Sequence, residues 1–171
     1  GVDIFGHHGL IGENVPQAVG AALGSGKPTV CIFGDGAAEE DYVLAAIGFA
    51  ASRKLPVLFI CIDNDLSILT PVEVRRNWKL GEVAKGFGVK ANECADDPRA
   101  VAYYIEQMTE SMPALLNIHV CRGYWHVGIG VDGAPAWDRF ELVKKELILL
   151  EKESEIELIE NNERIEMEKV W

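Results

Sequence analysis

Cys31-Ile32-Phe33-Gly34-Asp35-Gly36-Ala37 reads as an apolar strand that ends in Gly-Asp-Gly and passes directly into a helix. In an open parallel sheet, ligands bind beyond the carboxyl ends of the strands. Glycines at that turn let backbone amides approach a phosphate closely, and a helix N-terminus adds partial positive charge. Asp35 between them is a hard oxygen ligand suited to magnesium bridging to a diphosphate. A second strand end carries Asp63-Asn64-Asp65, with 27 residues between Gly36 and Asn64. One helix and one strand fill that interval. If the two strands are neighbours, Asn64 lies near Asp35, and a carboxylate, an amide oxygen, a backbone carbonyl and phosphate oxygens complete an octahedral shell. The plainer reading of 63–65 is a polar turn.

Strand signals recur at Pro28–Phe33, Pro56–Ile62, Val89–Cys94 and Ala114–Val120. Helical patterns lie between them. Val15–Leu23 follows Asn14 as N-cap, and the next helix shows Tyr42, Ala45, Ala46, Phe49 and Ala50 at three- and four-residue spacing. A short helix covers Gly81–Phe87. A longer one, Pro98–Met112, carries Val101, Tyr104, Ile105 and Met108 on its buried stripe. This alternation predicts an α/β fold, a three-layer α/β/α sandwich around a mainly parallel sheet. We assign residues 1–135 to this domain and 136–171 to C-terminal helices that pack on it or on a partner. In that tail, Asp138 with Glu141 and Ser154 with Glu157 mark two helix starts.

The 171 residues are 49% hydrophobic, enough for one packed core, and carry a formal charge of −11. So acidic a chain argues against nucleic-acid or anionic-membrane binding. Four cysteines, well separated and without a C-x-x-C pair, suit a reducing, cytoplasmic setting. No apolar run approaches membrane-spanning length and no signal-peptide pattern is expected.

Gly34-Asp35-Gly36 through Asn64 resembles the thiamine diphosphate (ThDP) signature. Gly9-Leu10-Ile11-Gly12-Glu13-Asn14-Val15-Pro16, Gly34–Ala38, Lys54-Leu55-Pro56-Val57 and Thr70-Pro71-Val72 resemble the alpha subunit of 2-oxo acid dehydrogenase first components. The resemblance covers most of the chain and implies a ThDP-binding fold of the diphosphate-binding type. It implies that Asp35, the Asn64 side chain and the Leu66 carbonyl ligate Mg2+, and that Gly34, Gly36 and Ala37 line the diphosphate. Gly9 and Ile11 would meet the aminopyrimidine. His126, four residues after Arg122, resembles the histidine of the family's phosphate-proximal loop, and His8 is a candidate proton donor to substrate. Arg75, Arg76 and Lys79 read as a solvated helix start, with steering of an acidic substrate or partner as the alternative. Glu39 and Glu40 read as charges complementing the helix they begin.

The family's activity is decarboxylation of a 2-oxo acid with transfer of the acyl unit, an oxidoreductase role. The resemblance implies a beta-type subunit that supplies the pyrimidine-binding domain and an activating glutamate, and a heterotetramer built as a dimer of heterodimers. A lipoyl domain is the family's acceptor. The stretch after His126 is shorter than the family's, Asp63 stands where asparagine is usual, and Asp41 where glycine is common. The family's N-terminal half lies before Gly1, which leaves open a fragment, a split subunit, or a partner that replaces it. Two alternatives stand beside this reading: a ThDP-dependent carboligase or transketolase-like split subunit, and a non-catalytic phosphate-binding or scaffold module.

Overall fold

The computed structural model describes residues 9–123 and 136–170. The chain divides into two units, Gly1–Val120 and Cys121–Trp171. In the first, α1 (Asn14–Ser25) leads to β1 (Thr29–Gly34), a short 3-10 turn (Ala37–Glu39), α2 (Asp41–Arg53) and β2 (Val57–Asp63). A small antiparallel hairpin follows, β3 (Leu66–Ser67) with β4 (Thr70–Pro71), then α3 (Val72–Arg75) and α4 (Leu80–Gly86). The unit closes with β5 (Lys90–Ala95), α5 (Pro98–Thr109) and β6 (Ala114–His119). Each predicted strand is present to within about one residue of its expected start.

The main sheet is parallel throughout, in the order β1-β2-β6-β5. The two central strands read as near-continuous buried runs, Val57–Cys61 and Ala114–Ile118, because both their faces are covered. Val15, Val19, Ile47, Leu80 and Ala84 from α1, α2 and α4 pack on Phe33, Phe59 and Leu115. On the opposite face Met108, Val101, Tyr104 and Ile105 of α5 pack on Leu58, Ile60, Leu116 and Ile118. That arrangement is the expected three-layer sandwich. A fully buried side chain such as Phe59 contributes about 1.5–3 kcal/mol by leaving water. Among the described residues β1 is a sheet edge, and its Val30 and Ile32 are exposed.

Three local expectations are corrected. Asn14 is not the N-cap of α1 but its first helical residue, with Glu13 at the cap. Its amide is drawn to the sheet instead, donating to the Ile32 carbonyl at 2.7 Å. The buried face of α2 is Val43, Ala46, Ile47 and Ala50, while Tyr42 and Phe49 stay partly exposed. Both stripes satisfy helical spacing, and the smaller side chains are the ones that reach the sheet. Finally, Gly36 does not open a long helix: a three-residue 3-10 turn intervenes before α2.

In the second unit, α6 (Arg139–Leu149) begins at Asp138, whose carboxylate accepts the Glu141 amide at 3.1 Å. After Glu151, at φ 60, α7 (Glu153–Val170) runs back, and Lys144 pairs with Glu160 at 2.6 Å. Neither helix buries a residue fully; Phe140, Leu149 and Ile159 remain exposed. No helix of the described residues is long and apolar enough to cross a membrane.

Candidate functional site

The register of β1 on β2 sets Gly34 opposite Ile62, so the chain leaves the sheet at Asp35 and at Asp63 side by side. This is the neighbouring-strand arrangement that the spacing predicts. Asp35 is only 3% exposed. Burial pushes its carboxyl above the ordinary aspartate range and the Asp63 charge pushes the same way. The Arg75 hydrogen bond and the Arg75 and Arg76 charges oppose them. The buried carboxylate is held against the Arg75 guanidinium.

Asn64 follows at the end of β2. Its side-chain oxygen accepts the Leu66 amide at 3.0 Å, which curls the chain into the β3–β4 hairpin and retains a second lone pair on the same oxygen. Asp63 holds the start of this turn: one carboxylate oxygen accepts the Asp65 amide at 3.0 Å, the other the Asn117 side-chain amide at 2.9 Å. On the Gly-Asp-Gly side, Ala38 and Glu39 donate their amides back to the Asp35 and Gly36 carbonyls, closing the 3-10 turn. The Gly36 and Ala37 amides precede those bonds. A carboxylate, an amide oxygen and backbone carbonyls make a donor set that fits a hard divalent cation. Among the described residues no three His, Cys, Asp or Glu side chains group as metal ligands. The predicted shell does not require such a group, since only one of its three protein ligands is a carboxylate.

Gly9 and Ile11 precede α1, and the Ile11 carbonyl accepts the Tyr42 hydroxyl. Gly12, at φ +74, lies against Val43, where a Cβ would stand 2.6 Å from the valine methyl. His8 and His126 fall outside the described residues.

Several functional neighbours are not visible in sequence patterns. Arg75 and Arg76 are neither a solvated helix start nor free to steer a substrate. Arg75 bonds the Asp35 carboxylate and Glu39, and Arg76 donates to the Asp35 carbonyl at 3.1 Å with its guanidinium over the Trp78 ring. Glu39, expected to complement a helix start, is thereby the counter-charge to both arginines. Farther along the strand ends, His119 lies 3.1 Å from Glu93 and 3.9 Å from Asp63. A polar side chain at an inward position of an otherwise apolar strand, Asn117, is the one sequence signal for this layer.

Residues 1–114 match the family model described as Dehydrogenase E1 component. Over 136 residues the chain is 32% identical to the pyruvate dehydrogenase E1 component subunit alpha of Rickettsia bellii, covering 71% of this chain and 41% of that protein. It is 40% identical over 76 residues to the human pyruvate dehydrogenase E1 component subunit alpha, somatic form, covering 42% of this chain and 20% of that one. To the mouse 2-oxoisovalerate dehydrogenase subunit alpha it is 34% identical over 87 residues, covering 47% and 20%. The chain thus spans less than half the length of these relatives. Among solved structures, a transketolase variant from Pichia stipitis shares the fold with a TM-score of 0.61 at 21% identity, covering 65% of this chain and 20% of that one. A protein from Mycobacterium smegmatis described as a candidate thiamin diphosphate-dependent enzyme matches with a TM-score of 0.53 at 24% identity, covering 64% and 22%.

Proposed function

Since this chain belongs to the dehydrogenase E1 component family, we propose that it is an alpha-type subunit holding the diphosphate and Mg2+ end of ThDP in an enzyme that decarboxylates a 2-oxo acid and passes on the acyl unit. The observation that carries this reading is the buried Asp35 carboxylate at the end of β1, beside the Asp63-Asn64 end of β2. Asp35, the Asn64 side chain and the Leu66 carbonyl would hold the metal, and the Gly36 and Ala37 amides would meet phosphate oxygens. ThDP supplies, when bound, a ring able to stabilise the carbanion left by decarboxylation. The chain's own part is to fix the charged end of the cofactor. Asp63 and Asn117 hold the ligand-bearing turn in place, and Gly36 keeps the backbone close.

The partner in this reading is a beta-type subunit that supplies the pyrimidine-binding domain and its glutamate, in a dimer of heterodimers. Titration calorimetry with ThDP and Mg2+ tests the site: Asp35→Ala abolishes binding, and equal affinity in wild type and variant removes Asp35 from it. With the partner present, reductive acylation of a lipoyl domain tests the acceptor. Carboligation without acylation favours the carboligase alternative.

A further inference from the structure

The geometry points to Arg75 as a built-in competitor for the metal position at Asp35, an inference that rests on the cofactor reading above. Each edge of the Arg75 guanidinium is committed. Its Nε donates to the Thr70 carbonyl at 3.0 Å, one terminal nitrogen pairs with Glu39, and the other bonds Oδ2 of Asp35. The pair is well shielded, with side-chain exposures of 11% for Arg75 and 4% for Asp35. Charge-assisted bonds in such surroundings are strong.

The arginine sits on a compact support. The Val72 amide donates to the Asp65 carbonyl at 2.9 Å and the Arg76 amide to the Val72 carbonyl at 2.9 Å, so α3 is fastened to the same hairpin that follows Asn64. Arg76 adds a second tie to the Asp35 carbonyl and carries Trp78 against its guanidinium, 4.6 Å from the ring centroid. The hairpin and α3 therefore lie directly over Gly-Asp-Gly. A Cβ at Gly36 would stand 2.7 Å from Ser67 Oγ and 3.7 Å from Arg75 Nη1.

A magnesium ion needs a carboxylate oxygen at about 2.0–2.1 Å in near-octahedral geometry. A guanidinium on that carboxylate neutralises the ligand and repels the dication in a site that screens charge poorly. The metal must displace Arg75 from Asp35 or bind against it. Glu39 gives the displaced guanidinium a place to remain, so the exchange breaks one ion pair rather than two. Arg75 sets a threshold for loading, and its release from Asp35 loosens the cover formed by 66–78.

The test uses the full chain, with Mn2+ alone followed by electron paramagnetic resonance and Mg2+ with ThDP followed by calorimetry. Arg75→Gln binds both about 10- to 100-fold more tightly than wild type, the equivalent of one charge-assisted hydrogen bond. Arg75→Lys, which keeps the charge without the fork, falls between, and Asp35→Asn loses both ligands. The Trp78 contribution to fluorescence, isolated by comparison with Trp78→Phe, shifts on metal loading in wild type. In Arg75→Gln it is already shifted before loading. Circular dichroism confirms that each variant is folded. Unchanged or weakened binding in Arg75→Gln, with Asp35→Asn inactive in binding, overturns the competitor role and leaves the cofactor reading standing. Failure of wild type, Arg75→Gln and Asp35→Asn alike overturns both.

Discussion

Gly36 lies so close under Ser67 that a Cβ on the glycine would stand 2.7 Å from the serine Oγ and 3.0 Å from its Cβ. The φ of Gly36 is −64, so its backbone asks for nothing special. Space alone demands glycine here. Gly36→Ala is therefore expected to cost about 1–3 kcal/mol of stability through overpacking. The double variant Gly36→Ala/Ser67→Gly recovers much of that loss, because the clash is between these two side chains. Urea denaturation of the four proteins in the cycle checks the coupling; purely additive losses would show that the hairpin yields freely.

The bond from Asn117 to Asp63 joins β6 to β2 just beneath the candidate metal position. Asn117 is buried, and its own side-chain oxygen has no hydrogen-bond partner. Asn117→Leu removes that orphan oxygen but leaves the Asp63 carboxylate short of a donor. The net expectation is a loss of about 1–3 kcal/mol, together with weaker ThDP and Mg2+ binding as the 63–65 turn loosens. Chemical denaturation and calorimetry on one preparation measure both. Wild-type stability with weakened binding would assign Asn117 to positioning alone.

β1, β2 and β6 were legible because each is a mostly apolar run between turn signals, and β5 because Val89, Ala91 and Cys94 interrupt its polar residues. The closeness of Asp35 to the Asp63-Asn64 turn was legible because both stand at the ends of strands that pair as neighbours. Strand order was less visible, although the two runs buried on both faces, around Phe59 and Leu116, become the centre of the sheet, while Lys90 and Glu93 mark β5 as an edge. Arg75 and Arg76 escaped because their partners, Asp35 and Glu39, lie 36 to 41 residues away, and no local pattern encodes a pairing at that range. The β3–β4 strands, two residues each, are too short for alternation to show.

The thiols divide by burial. Burial pushes Cys31 up to about 12, and Cys61 is driven higher still, with the Asp63 and Asp35 charges adding to the effect. The reactive species is the thiolate, so neither reacts appreciably at neutral pH while the protein is folded. Labelling with a disulfide reagent at pH 7 should leave both unmodified until denaturant is added, as read by peptide mass spectrometry. Rapid native labelling of Cys61 would mean that the sheet opens at β2.

Asp97 starts α5 by accepting the amides of Arg99 at 2.9 Å and Ala100 at 3.3 Å, as an N-cap should. The Arg99 side-chain hydrogen bond, helped by those amides, lowers its carboxyl to about 2. A carboxyl whose folded value lies below its unfolded one, about 3.9, stabilises the fold above that unfolded value. The contribution is lost as pH falls through the interval down to about 2. Wild type is therefore more stable than Asp97→Ala at pH 6, and the charge-dependent part of the gap closes as the pH is lowered from 4 toward about 2. Paired urea titrations across that range measure it, with Asp97→Asn as the variant that keeps a neutral cap and so isolates the charge. A gap between wild type and Asp97→Asn that stays constant with pH would show that the carboxylate's charge does not stabilise α5.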